Sequence, residues 1–222
     1  MLRTEVAQSE NNRPAGLSSV RRAIRLLRLF TPYAPEWRAI DMSRVTGLPP
    51  SAISRLASTL VAGGLLERDP ATRRFRPGFL ALQLGALYAQ HNAVRELALR
   101  TLRAVVDEVD QVGYLGILDG RDLVVTATVE NARPVRVVVQ PGDRSPAYVT
   151  AIGKAILACM PEAEVRALFP DPILPIPPGI VGPGARPLQT VDQLVEDLHA
   201  TRERGFSLLR EERFQGVCAV GV

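Results

Sequence analysis

The stretch that most limits what this chain can become is Pro50-Ser-Ala-Ile-Ser-Arg-Leu-Ala-Ser-Thr-Leu-Val61, fenced by Gly47-Leu48-Pro49 before it and Gly63-Gly64 after it. Ile53, Leu56, Ala57 and Leu60 recur at helical spacing and make one apolar face, leaving Ser51, Ser54, Arg55 and Ser58 outward. Pro50 suits the first helical position, where the N–H it lacks has no partner to lose. A shorter apolar segment, Ile40 to Thr46, lies before the glycine-proline turn. Beyond the double glycine, Leu65 to Arg76 reads as a basic two-stranded flap. Helix, tight turn, helix and flap make a winged helix-turn-helix, bounded here at residues 18–76.

Such a helix has a use for those outward residues. Small hydroxyls let it sit deep in a major groove, and an arginine can donate two hydrogen bonds to the N7 and O6 of guanine. Phosphate contacts are expected from Arg38, from Arg21 and its neighbours on the first helix, and from Arg73 and Arg74 on the flap. Charge is divided accordingly. Residues 1–76 hold thirteen Arg against six acids, whereas residues 77–222 hold thirteen Arg and one Lys against seventeen acids. A basic first third joined to a mildly acidic remainder fits a reader of double-stranded DNA with a separate regulatory body. The other reading of the same layout is a winged helix that contacts proteins, with Arg55 held in an internal ion pair.

Residues 1–17 are polar and aperiodic, which predicts a disordered tail. From Ser18 the period is helical, with Val20, Ala23, Ile24, Leu27 and Phe30 inward and Arg21, Arg25 and Arg28 opposite, until Thr31-Pro32-Tyr-Ala-Pro35 stops it. Trp37 to Ile40 is expected to be an extended entry to the next helix. The first residues contain no apolar signal core, and no run approaches the roughly 20 apolar residues that cross a bilayer. The expected compartment is therefore the cytoplasm, with no membrane partner. Cys159 and Cys218 provide neither a disulfide framework nor a metal spacing, and no cofactor is expected.

Pro77-Gly78 closes the flap, and Phe79 to Gln90 is apolar almost all round. One short helix of that kind needs burial on several sides, so segment 77–91 is expected to link the domains and to pair with a second subunit, the plainer alternative being an internal core helix. His91-Asn92 caps a helix reaching about Asp110, with Val94, Leu97, Ala98, Thr101, Leu102, Val105, Val106 and Val109 on its apolar side. The period then changes. Gly113–Leu118 and Asp122–Glu130, joined by Asp119-Gly120, read as a hairpin, and Val135–Val139 as a third strand. With the helices that follow, residues 92–222 make an α+β domain. Thr150 can cap a helix whose first N–H groups, near Ala151, Ile152 and Gly153, could meet an anion such as a small carboxylate. The plainer alternative is a capped helix packed on the sheet, with Gly153 allowing close approach. Pro161 opens a helix to Leu168, the proline-rich run Phe169–Pro187 reads as a surface loop, and Thr190-Val-Asp-Gln193 is a capping box for a helix that Gly205 ends.

Val20-Arg-Arg-Ala-Ile-Arg-Leu-Leu27, Thr46-Gly-Leu-Pro49, Arg55-Leu56, Thr59-Leu-Val61 and Gly64-Leu-Leu-Glu-Arg-Asp69 together resemble the DNA-binding half of the IclR family of bacterial transcription regulators. Gly142 to Ala158 resembles the effector-domain signature of the same family, and Phe206 to Val222 its following strand, acidic pair and Gly-x-x-Ala turn. The resemblance implies a two-domain α+β chain: a winged helix-turn-helix, a linker helix and a GAF-like effector-binding domain. It also implies a homodimer or dimer of dimers on a near-palindromic operator, a small-molecule effector, and repression as the expected sign. Glu211, Glu212 and Cys218 then join Thr150, Ala151, Ile152 and Gly153 as effector-pocket residues. Pro50 stands where the family commonly has Lys or Arg, and Ala52 where it has Thr, so operator reading is expected to differ there. The family pattern continues past Val222 with a Pro-Val hairpin and a final helix, which makes the domain look truncated at its end. Catalysis is argued against by the inventory. His91 and His199 have no nucleophile near them in sequence, Cys159 falls on the apolar side of a helix, and there is neither a phosphate loop nor a zinc spacing.

Overall fold

Leu26, Met42, Ile53, Ala57, Leu60, Leu66 and Phe75 meet in one core, contributed by three helices and a hairpin. They belong to the first of two compact units, which divide between Arg95 and Glu96 in the computed structural model; it describes residues 18–90, 93–131, 139–176 and 181–222. The first unit holds α1 (Ser18–Leu27), α2 (Ala39–Thr46), α3 (Pro50–Ala62), β1 (Leu66–Arg68), β2 (Phe75–Pro77) and α4 (Phe79–Gln90). Gly47 ends α2 at φ 71°, a conformation that costs glycine no Cβ clash, and its N–H bonds to the Ser43 carbonyl. The chain can then turn at once into α3, where Pro50 opens the first turn. β1 and β2 pair antiparallel, with Leu66 opposite Pro77 and Arg68 opposite Phe75. Gly78 lies against this hairpin's own backbone, where a Cβ would strike Leu66 and the Gly64 carbonyl.

Three expectations for this unit need correction. On α1 the fully buried residue is Leu26, while Val20 and Ile24 remain about half exposed. The core takes up Leu26 with Ala23 and Leu27 against it, and Val20 and Ile24 fall at the other edge of the same apolar stripe. On α3, Ala52 is buried with Ile53, Ala57 and Leu60, so it belongs to the packing face and not to the outward one. The helix α1 also stops at Leu27, short of the prolines, in a tightening turn where Leu29 N–H bonds to Leu26 O.

In the second unit, α5 (Ala93–Val109, begun in the first) is followed by β3 (Gly113–Asp119), β4 (Asp122–Val129) and β5 (Arg144–Pro146), ordered β3-β4-β5 in an antiparallel sheet. The β3–β4 hairpin turns at Gly120, φ 64°, as the Asp-Gly pair predicts. The third strand expected at Val135–Val139 and the cap expected at His91-Asn92 lie, all but Val139, outside the described residues. Next come a 3₁₀ turn (Ala147–Val149), α6 (Ala151–Ala158), α7 (Glu162–Leu168), α8 (Val191–Arg204), and the antiparallel pair β6 (Ser207–Arg210) and β7 (Cys218–Gly221). Tyr148, Val149, Leu157, Val165, Leu194 and Leu198 fill the core between α6, α7 and α8. The capping box forms in full, with Thr190 and Gln193 exchanging side-chain and backbone bonds, and Gly205 ends α8 at φ 80°. Along α5 only Val106 is buried, and the predicted apolar stripe of Val94, Leu97, Val105 and Val109 stands open because β3 meets the helix at Leu102 and Val106. Cys159 is exposed and not in the core, since it sits at the C-cap of α6.

Candidate functional site

The face of α3 opposite the core carries Ser51, Ser54, Arg55 and Ser58, all exposed, and no bulky apolar residue among them. Arg55 has no ion-pair or side-chain hydrogen-bond partner among the described residues, and the same holds for Arg21, Arg38, Arg73 and Arg74. Their neighbours are committed elsewhere: Arg44 to Asp41 at 3.3 Å, Arg76 to Glu67 at 3.1 Å, and Arg68 over the Phe75 ring at 5.4 Å. The unit thus keeps one set of arginines for internal use and leaves another facing solvent. That outward set lies on α1, at the start of α2, on α3 and on the wing. A groove of about 440 Å³ between α1 and α3 is lined by Val20, Arg22, Ala52, Arg55 and Leu56.

The wing's shape comes from its own chemistry. Asp69 Oδ1 accepts from the N–H groups of Ala71 (2.8 Å) and Thr72 (2.7 Å), and Arg73 takes φ 57° to carry the chain back to β2. The bond from the Thr72 backbone, with smaller help from Ala71 and Arg76, holds the Asp69 carboxyl below the usual carboxylate range. Arg73 is exposed at the tip and Arg74 is half-buried behind it.

In the second unit Thr150 caps α6, its hydroxyl accepting from Gly153 N–H at 3.0 Å. The Ala151 and Ile152 N–H groups are the remaining amides of that turn able to face an anion. Gly153 is needed for packing: a Cβ there would strike the Ala147 carbonyl oxygen and the Thr150 hydroxyl. The hairpin β6–β7 lies against the same turn, with Ser207 Oγ donating to Ala151 O at 2.6 Å and Gly221 packed on the Ala151 backbone. Of the three residues expected here from the hairpin, the structure brings Glu212 to α6, through Lys154, while Glu211 is engaged within the loop between the strands and Cys218 lies on β7. Glu211, at φ 55°, accepts from Gly216 N–H at 2.9 Å and shapes the loop. Glu212 binds the ammonium of Lys154, which has no solvent exposure and also lies 3.1 Å from Asp197. Cys218 opens β7 and is exposed. Sequence reading missed Lys154 as an organising residue. Its partners lie 43 and 58 residues away, and only the Gly153-Lys154 pair itself was visible. No group of His, Cys, Asp and Glu among the described residues could hold a metal ion.

A helix presenting hydroxyls and an outward arginine, next to an arginine-bearing wing, defines a winged helix-turn-helix DNA-binding protein with a second, α+β unit in the same chain. Residues 19–70 match the IclR helix-turn-helix domain and residues 86–222 match the bacterial transcriptional regulator IclR C-terminal domain. The chain belongs to the IclR family of bacterial transcription regulators. It is 31% identical over 207 residues to the HTH-type transcriptional regulator XynR of Escherichia coli, covering 93% of this chain and 79% of that protein. It is 26% identical to KipR of Bacillus subtilis, covering 91% and 78%. Among solved structures it superposes on an IclR transcriptional regulator from Alicyclobacillus acidocaldarius with a TM-score of 0.79 at 24% identity, covering 92% and 80% of the two chains. An IclR homolog from Microbacterium hydrocarbonoxydans, complexed with 4-hydroxybenzoate, shares the fold with a TM-score of 0.73 at 21% identity, covering 91% and 81%. The family and the two-domain architecture that the sequence resembles are thereby shown.

Proposed function

We propose that the chain reads an operator as a dimer, or dimer of dimers, and responds to a small carboxylate held at the first turn of α6. The observation that carries the DNA half is the outward face of α3: three serines and one arginine without an internal partner among the described residues. Arg55 reads guanine, Ser51, Ser54 and Ser58 allow the helix to approach the base edges, and Arg21, Arg38, Arg73 and Arg74 take phosphates. Pro50, at the exposed first turn, is where operator reading departs from relatives; the burial of Ala52 removes it from that role. Exposed Phe79, Leu82, Leu84, Leu87 and Tyr88 on α4 support pairing through this helix, since α4 buries none of its own residues. Repression, from the cytoplasm, is the mode of control proposed.

For the ligand half, the Ala151 and Ile152 amides and the Thr150 cap form the anion-facing turn. Glu212 serves as counter-ion to Lys154, and Glu211 shapes the loop that carries Cys218. The 4-hydroxybenzoate complex of the Microbacterium protein supports a small carboxylate as the ligand class for this fold. The chemistry proposed is binding, not turnover. Mobility shift with the gene's own upstream duplex tests the DNA half: the wild-type protein should retard it and Arg55→Ala should not. Retardation by both, or by neither, overturns the reading. A thermal-shift screen of aromatic and aliphatic carboxylates tests the ligand half, and a flat response across the set counts against it.

A further inference from the structure

The wing consists of two strands of three residues each. A hairpin that short does not hold its own position and takes it from whatever pairs with its outer edge. Here the partner is Trp37, the one tryptophan of the chain. Its backbone N–H donates to Phe75 O at 2.9 Å, and its carbonyl accepts from Phe75 N–H at 2.7 Å, so one residue pairs with the outer side of β2 as a single-rung third strand. A single rung would leave the wing free to pivot, but the side chain is fixed as well. The indole N–H is shared between two backbone carbonyls, Leu29 O at 3.0 Å and Ala34 O at 3.1 Å. Leu29 lies just beyond α1, Ala34 is in the loop to α2, and Phe75 opens β2. Arg74 shares with Trp37 an open cleft of about 500 Å³, lined also by Tyr33, Glu36 and Asp41. Arg38, the residue after Trp37, stands at the N-cap of α2.

We propose that Trp37 is a positioning residue for the phosphate contacts. Its backbone holds the wing at Phe75 while its indole N–H anchors Trp37 itself to the end of α1 and the loop after it, and the two together set where Arg73 and Arg74 meet the DNA backbone, without Trp37 touching DNA itself. The proposal rests on the DNA-binding reading above. Phosphate contacts are independent of sequence and release counterions, so log K against log salt falls with a slope of about −0.9 per contact. The slope can therefore be measured on a random-sequence duplex, by fluorescence anisotropy at several salt concentrations.

Two variants remove the indole N–H: Trp37→Phe, and replacement of Trp37 by benzothienylalanine, which keeps the bicyclic shape and loses only the donor. Each is expected to retain its helical circular dichroism at the temperature of measurement while its slope becomes shallower by about one to two. Arg73→Ala/Arg74→Ala should flatten the slope by the same amount, and adding it to the tryptophan variant should change little further, because the same contacts are already lost. A residue that only stabilised the fold would lower the melting point and leave the slope alone. A wild-type slope with benzothienylalanine, or slope losses that simply add, overturns the proposal even if Trp37→Phe fails to fold. If the wild-type protein binds the duplex with no salt dependence, the DNA-binding reading fails and the proposal fails with it. If Arg73→Ala/Arg74→Ala flattens the slope and the tryptophan variants do not, only the proposal fails.

Discussion

At the tip of the wing, Asp69 does with one carboxylate oxygen what a longer turn would need several residues to do. The Thr72 and Ala71 amides it accepts are stronger donors to a charged acceptor than to a neutral one. The Thr72 bond is the main reason the folded carboxyl resists protonation. Because its pKa is lower folded than unfolded, its contribution to the wing is present above the ordinary aspartate range and is lost as pH falls through the depressed folded value. The Ala71 and Thr72 amide resonances should therefore shift together on acidification, with a midpoint below that of an unstructured aspartate. In Asp69→Ala the same resonances should not titrate and should exchange faster with solvent. A midpoint at or above the ordinary value would contradict the assignment. Arg73 beside it shows the same economy. Its φ of 57° is uncommon for a side chain other than glycine, and the Asp69 turn holds it there.

Among the elements, α6 is the one whose packing most narrowly dictates its residues. In Gly153→Ala the added methyl meets the Ala147 carbonyl and the Thr150 hydroxyl, neither of which can move away without losing the cap. The expected cost is about 1–3 kcal/mol from overpacking, plus about 1 kcal/mol if the Thr150 cap is lost. Urea denaturation of the second unit should show it as a lower midpoint, and an unchanged midpoint would mean that the first turn has slack. How far each element could be read in sequence follows its amphipathicity. The helix α3 has one apolar face and one polar face, so its inward and outward sides were legible, with Ala52 the exception because a methyl is small enough for either. The helix α1 has one apolar stripe of which the core uses only one edge, and α5 is apolar over too wide an arc for the sequence to choose a side. Val20, Ile24, Val94 and Leu97 therefore looked like core and stand exposed. Lys154, Glu212 and Asp197 lie on three separate elements, and nothing local in the chain announces that a buried ammonium will collect two carboxylates. The acidic pair Glu211-Glu212 and the Gly153-Lys154 pair were visible in the sequence, but the engagement of Glu212 by Lys154 was not.

For the whole molecule, one winged helix offers a single short reading helix and a few phosphate contacts, too little for tight specific binding. Two copies joined through α4 would double the contacts and fix the spacing of two half-sites. Leu82 and Leu87 are both more than half exposed in the isolated chain, and replacing both by Glu should leave the winged helix folded but shift the protein to monomer in sedimentation velocity. Affinity for the upstream duplex should fall with it. An unchanged oligomer would remove α4 from the interface. The most direct measurement of the central claim is selection of bound duplexes from a random pool, followed by sequencing. The wild-type protein should enrich two inverted copies of a short, guanine-containing half-site at a fixed spacing of about one helical turn or a multiple of it, and Arg55→Ala should lose the guanine preference. A pool that stays random, or a motif that Arg55→Ala leaves intact, would contradict the assignment of α3 as the reading helix.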